Sequence, residues 1–408
     1  MLYVIYSLLL EKWSIFLYNS LIENYSMDAK SSDKRFEVID VARCYGIALV
    51  FYGHFIEELM LLQNPIAANH YKFIYSFHML LFIVLAGYVA KERTVESSFT
   101  EFARNRFFSR LLPFIFFTFL MIVPTFFFSG KFFDLNLPSF AGYAKGLVAT
   151  IFGLPLFCVP SWFLLLIIGV ELVHYSVFRF IRDSDRKILS AAVVFYIVGY
   201  FINLKLDIFN PLKGRTVGWN YFFIHEAITL YSFYLIGIYM RRKGHFTNPV
   251  SAKTAGTTAL IAFGVVLFTY QLNKGPFNFN VYDAVIILFA SHGHILLFPL
   301  TAFAGCLLIL NLAAISHVPR VIVYMGQNTL VLMCLNGVFY HYINQPLAKW
   351  VLANFGGNQI TVTVAGVVTT VISLLLCVPF LYGFNRYLPQ FIGKKKQNVT
   401  LQAGSSFR

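Results

Sequence analysis

The sequence is punctuated by apolar runs of a length and regularity that few folds can use. They fall at roughly 41–62, 73–90, 111–128, 161–180, 188–204, 219–240, 255–272, 294–312, 321–343 and 361–384. The hydrocarbon core of a bilayer is about 30 Å thick and takes about 20 residues of helix. Inside lipid each backbone N–H and C=O must be satisfied within its own segment. The runs therefore predict an all-α integral membrane protein of about ten transmembrane helices. Of the 408 residues, 58% are hydrophobic and only 12% are charged, about half the charge fraction of a soluble domain. The net charge of +14, from 32 Lys and Arg against 18 Asp and Glu, would suggest nucleic acid in a soluble chain. Here the basic residues sit in short loops between apolar runs. That pattern excludes nucleic acid and makes them topology signals and anionic-lipid contacts.

The charge distribution tests the count. Lys91, Arg93, Arg104, Arg106 and Arg110 lie in one loop, and Arg179, Arg182, Arg186 and Lys187 in another. Arg241, Arg242 and Lys243 follow the sixth run, Arg320 precedes the ninth, and Arg386 and Lys394 to Lys396 follow the tenth. With ten spans and a cytoplasmic N-terminus, all of these fall on the cytoplasmic side. The loops 63–72, 129–160, 205–218, 273–293 and 344–360 are less basic. The expectation is a multi-pass protein of the inner, cytoplasmic membrane with both termini in the cytoplasm. The run 143–159 is broken by glycines and prolines and reads as re-entrant or interfacial. The stretch 282–293 either lengthens the eighth span or forms another short piece. Residues 1–34 read as a cytoplasmic or interfacial segment, with translation starting at Met27 as one account and a surface helix as the other. Residues 35–390 form the membrane domain and 391–408 a basic cytoplasmic tail, with no appended soluble domain and no internal repeat.

The first run is unusual because it is charged. Asp40, Arg43, His54, Glu57 and Glu58 lie near one stripe of a helix. Arg43 and His54, eleven residues apart, differ by only about 20° and are separated by about 16 Å along the axis. Ionisable groups in a spanning helix are costly and usually face the protein interior or a wet cavity. Each also has a plainer reading. Asp40 caps the helix start, Arg43 snorkels to the interface, Glu57 and Glu58 end the helix at the outer surface, and His54 packs structurally. The register of Arg43 with His54 is the stronger signal, and it points to a reaction channel.

Four stretches set in this frame resemble one family, the acyltransferase-3 membrane acyltransferases. They are Asp40-Val-Ala-Arg43 followed, after ten intervening residues, by His54; Phe77-His78-Met79-Leu80-Leu81-Phe82 ending in Ala86-Gly87-Tyr88; Arg110-Leu-Leu-Pro113; and Gly326-Gln-Asn328-Thr329-Leu330. Trp162-Phe-Leu at the fourth run also fits. The resemblance covers about 35 to 385 and is nearest the branch that acetylates sugars of capsules, exopolysaccharides and other envelope glycans. It implies transfer of an acyl group, usually acetyl, from cytoplasmic acetyl-CoA or another acyl-CoA to a sugar hydroxyl of a cell-envelope polysaccharide or lipid-linked precursor. The family's arginine and histidine map to Arg43 and His54. Leu80 and Ala86 depart from its usual proline and serine, and its late histidine is replaced, with Asn336 nearest.

The chemistry divides accordingly. Coenzyme A carries a pyrophosphate and a 3′-phosphate, and arginine makes forked, charge-assisted bonds to phosphate. Arg43, Arg106 and Arg110 are the candidate acyl-CoA ligands, although the two loop arginines also fit a purely topological role. A hydroxyl attacking a thioester needs a base, and histidine titrates near working pH, so His54 is the expected general base. Direct transfer and an acyl-histidine intermediate are both open. Asp40, Glu57, Glu58 and His78 are supporting candidates, and Trp162, His225 and Glu226 are acceptor-side ones. Asn328 reads as an interhelical hydrogen-bonding residue. His292-Gly-His294 finds no carboxylate or Cys at useful spacing, and the five Cys read as small hydrophobes, so no metal and no bound cofactor is expected. Two other readings compete: a transporter or flippase of an envelope glycan, and a family member acylating a lipid or small molecule. Oligomeric state is not encoded in any motif.

Overall fold

The computed structural model describes residues 37–132, 135–206, 223–247, 250–277 and 282–394. The segment 1–34 with Met27, the loop 207–222, and the tail beyond Lys394 lie outside the described residues. Among those described, the only β pairing is one bridge between Ile286 and Ser291. The helices in chain order are α1 Glu37–Leu61, α2 Pro65–Tyr75, α3 His78–Tyr88, α4 Phe99–Phe126, α5 Phe140–Ile151, α6 Trp162–Ile181 and α7 Asp185–Leu206. They continue with α8 Ile224–Arg242, α9 Ala252–Thr269, α10 Leu297–Ile315, α11 Arg320–Gln327, α12 Thr329–Phe355 and α13 Gln359–Tyr387. The chain is an all-α membrane protein.

Among the described residues, eight stretches are long and apolar enough to cross a membrane: α1, α2 with α3, α4, α6, α7, α9, α10 and α13. A ninth forms if α11 and α12, bent by 82° at Asn328, count as one. The remaining expected span coincides with α8, whose 19 residues include His225, Glu226, Arg241 and Arg242. It packs against α3, α6 and α7, so protein rather than lipid surrounds its polar groups. Gly87 on α3 and Gly237 on α8 make that packing close. A Cβ on either would collide with a carbonyl oxygen of the other helix, of Tyr234 or Val84 respectively, the small-residue contact common between membrane helices.

Several expected loops are helical. The stretch 63–72 contains most of α2, started by Asn64, whose side chain accepts from the Ala67 N–H, with Pro65 at the first helical position; both are start signals. The spans α4 and α12 likewise run well past their apolar cores, because ends outside lipid need not be apolar. Helix α5, at twelve residues or about 18 Å, is too short to cross. The stretch 282–293 does not lengthen α10. It is an irregular loop, buried at Ala284–Ile287 and Ala290–His292, with Ala290 and Gly293 in left-handed conformation.

Loops alternate between two ends of the bundle. At one end Arg242 pairs with Glu92 and Asp185, Lys243 with Asp185, and Arg182 with Glu96. At the other, Lys72 pairs with Asp283 and Lys131 with Glu58. Helix α1 runs through the middle, touching α2, α3, α10, α11, α12 and α13. Its apolar window is 67% buried, against 28% for α4, α7 and α9, so its charged stripe faces protein and not lipid.

Candidate functional site

Two cavities lie along α1, one at each end of the stripe. At the end with the dense ion pairs, a cavity of about 250 Å³ is lined by the polar side chains Arg43, Ser109, Arg110, Gln327, Asn328 and Lys394. Deeper in, its wall is apolar, with Phe82, Phe163, Leu330 and Met333 among the lining residues. Asp40 lies in the first turn of α1, three residues past its start, and does not cap it. Its carboxylate accepts from Arg43 at 3.1 Å and from Gln327 at 3.1 Å. Arg43 is thus held in the cavity wall and does not reach out to an interface. The Gly326 motif explains the closeness of α11: a Cβ at Gly326 would strike the Asp40 carbonyl.

Arg110 enters the same cavity through a backbone irregularity. Pro113 has no N–H, so the carbonyl of Ser109, four residues earlier, loses its helical partner. The chain makes a π turn at Phe107–Leu111, and the Arg110 guanidinium donates to that Ser109 carbonyl at 3.1 Å. Lys394 donates to Asn328 Oδ1 at 2.8 Å and Asn385 Oδ1 at 2.6 Å. Residues Ile392, Gly393 and Lys394, beyond the boundary expected at 390, therefore line the cavity. Asn328 does bond between helices, as expected, and also lines the cavity.

The second cavity, about 300 Å³, lies around His54. Its lining includes Glu57, Tyr71, Tyr75, His78, Trp162, Tyr282 and Tyr340, with Ile286 to Phe289 of the irregular loop closing one side. His54 Nδ1 is hydrogen-bonded to Asn336 Oδ1 of α12. Because an amide oxygen only accepts, this orientation of Asn336 calls for the Nδ1–H tautomer, which leaves the Nε2 lone pair available. Tyr340, one turn beyond Asn336, packs edge-on against the imidazole at 5.0 Å. His78 Nδ1 donates to the Ile74 carbonyl at 3.0 Å across the break between α2 and α3. Tyr71 and Tyr75 stack at 3.7 Å, with Tyr282 5.8 Å from Tyr71. Burial pushes the Tyr282 hydroxyl up to about 12, so it remains a neutral hydrogen-bonding group.

Glu57 and Glu58 do not end the helix at a surface, since both are buried. Glu57 lines the cavity, 3.4 Å from the Tyr75 hydroxyl. Glu58 turns away to Lys131 at 2.6 Å. Lys131 is fixed by a reciprocal tie: its N–H donates to the His341 carbonyl and its carbonyl accepts from His341 Nδ1, both at 2.7 Å.

Three expected site residues lie elsewhere. Arg106 lies against Glu171 at 3.1 Å and is absent from the lining of the Arg43 cavity, although Arg110, which does line it, reaches the same Glu171 at 3.6 Å. His225 and Glu226 are buried in a separate cluster, where Glu226 accepts from Asn203 at 3.0 Å and from His292 Nε2 at 2.8 Å. His292 therefore does find a carboxylate, brought from 66 residues away by folding. The sequence reading missed Lys131, Tyr340 and Lys394 and passed over Asn336 as a substituted histidine. Only the coincidence of Asn336 with that position hinted at its place beside His54.

The arrangement pairs a cationic cavity suited to a polyanion with an aromatic cavity holding a histidine whose Nε2 is free to take a proton. A family model for an acyltransferase domain, that of the acyltransferase-3 family, matches residues 36–382, nearly the whole chain. No curated protein and no solved structure matches it.

Proposed function

Since this chain belongs to the acyltransferase-3 family and is a membrane acyltransferase, we propose that it moves an acetyl group from cytoplasmic acetyl-CoA to a sugar hydroxyl of a cell-envelope polysaccharide or its lipid-linked precursor. The observation that carries this reading is the pair of cavities at the two ends of one helix, cationic around Arg43 and aromatic around His54. The basic loops gather at the Arg43 end, which by the positive-inside rule is the cytoplasmic one. The protein then sits in the cytoplasmic membrane with the His54 cavity toward the outer side.

Arg43, Arg110 and Lys394 receive the phosphates of the donor, with Asp40 holding Arg43 in place. Aromatic rings and hydroxyls of Trp162, Tyr71, Tyr75 and Tyr282 receive the sugar. His54 Nε2 takes the proton of the attacking hydroxyl as its oxygen bonds to the thioester carbon. The carbon–sulfur bond breaks and the leaving thiolate takes that proton from the His54 imidazolium, which returns to its neutral form. Asn336 stabilises the imidazolium by accepting from Nδ1–H, the role of the orienting group in a catalytic triad.

The test is proton NMR of surface glycan from cells lacking the protein, complemented with wild type or His54→Ala at matched membrane levels. O-acetyl signals restored by wild type and absent with His54→Ala are expected. Equal acetylation by both would remove His54 as the base. Dependence of glycan quantity, rather than acetylation, on the protein would transfer the case to glycan export.

A further inference from the structure

We propose that Met333 is the movable partition between the two cavities, and that its bulk sets which acyl groups reach His54; this rests on the acyl-transfer reading above. The two cavities approach one another inside the bundle, and the helices that line both pass from one to the other between them. On α3, Met79 lines the His54 cavity and Phe82, less than one turn on, lines the Arg43 cavity. On α6 the change falls between Trp162 and Phe163, and on α1 between Val50 and Arg43. On α12 Thr329, Leu330 and Val331 line the Arg43 cavity and Tyr340 lines the His54 cavity, and the change falls on one residue, Met333, which lines both. It is 4% exposed and lies five residues past the bend at Asn328.

The aromatic neighbours are packed against one another. Phe82 and Trp162 each pack edge-on against Phe163, with ring centroids 5.9 Å apart in both pairs. Methionine is unbranched, with three rotatable bonds and a soft thioether, so its rotation joins the cavities without shifting a helix. A donor whose phosphates stay on Arg43, Arg110 and Lys394 has only its narrow pantetheine arm to pass along the apolar wall. The thioester carbonyl reaches His54 once the Met333 side chain yields. At rest the same side chain keeps water in the outer cavity away from the thioester.

The test uses the full-length protein in lipid nanodiscs, with unacetylated surface glycan from cells lacking the protein as acceptor. Thiol release from acetyl-CoA and octanoyl-CoA is followed with a thiol reagent, and CoA affinity by calorimetry. His54-dependent release by wild type is the prior check; its absence would refute acyl transfer and leave Met333 out of the question. With that check passed, Met333→Trp is expected to lose about tenfold or more in thiol release beyond any change in CoA affinity, because the larger ring blocks the junction. Met333→Ala is expected to raise octanoyl over acetyl turnover by about tenfold, as added methylenes find room. Wild-type rates and an unchanged acyl preference in both variants overturn the proposal. If Met333→Trp loses CoA binding as well, Met333→Ala decides alone: a raised octanoyl preference supports the partition, and an unchanged one overturns it.

Discussion

Replacing Asn336 by leucine tests the site at its most specific contact. The substitution keeps the branched side-chain shape and removes the one acceptor that His54 Nδ1–H has among the described residues. A buried neutral hydrogen bond contributes about 1 kcal/mol net, and stranding the donor costs up to about 3 kcal/mol. The larger effect is on the imidazole. Without Asn336 the ring is free to rotate and to carry its proton on Nε2, the tautomer that cannot take a proton from an acceptor hydroxyl. Misplacing a catalytic group by about 1 Å costs about 100-fold, so turnover of acetyl-CoA should fall by about two orders of magnitude. The KM for acetyl-CoA should hold, since Asn336 is absent from the lining of the Arg43 cavity. Thiol-release kinetics on matched amounts of protein measure both. Groups that act as a unit are non-additive, so His54→Ala with Asn336→Leu should be no slower than His54→Ala alone. Wild-type turnover in Asn336→Leu, or losses that multiply in the double variant, would refute the assignment.

Lys131→Met should lower the melting point in detergent sharply, because Glu58 at 1% exposure is left an uncompensated buried charge, a loss of about 3–5 kcal/mol; adding Glu58→Gln should recover most of it. Arg110→Ala should weaken CoA binding by about 10- to 100-fold, equivalent to one charge-assisted contact of about 1.5–3 kcal/mol, as read by calorimetry. Arg106→Ala, which leaves Glu171 paired with Arg110 and removes no residue of the Arg43 cavity lining, should reduce melting temperature more than CoA affinity. Glu226→Ala removes the acceptor of His292 and Asn203 and should destabilise by about 3 kcal/mol while leaving CoA affinity unchanged; Glu226→Gln, which keeps an acceptor oxygen, should be milder.

What was legible in the sequence follows from what is periodic. A helix fixes the angle between residues eleven apart, so the shared face of Arg43 and His54 could be read from their numbers alone, and apolar runs fixed where helices cross. The loops were misjudged where helices continue beyond lipid, since polar helix and polar loop look alike without a cap such as Asn64-Pro65. Partners across helices were not legible, because they depend on how helices are turned against one another. Glu57 and Glu58 are neighbours in sequence, yet one lines a cavity and the other meets Lys131, 73 residues away. The stripe on α1 therefore says that something polar faces it, and the identity of that partner is decided by α11 and α12. The break at Asn328 turns the chain by 82°. It brings Gln327 and Asn328 to the Arg43 cavity, Met333 to the junction, and Asn336 and Tyr340 to His54. The short motif Gly326-Gln-Asn328-Thr329-Leu330 is weak as a pattern. Physically it is the hinge that aligns one helix with both ends of the stripe, because only glycine lets α11 touch the Asp40 carbonyl and only a helix that restarts beyond Asn328 can continue alongside α1.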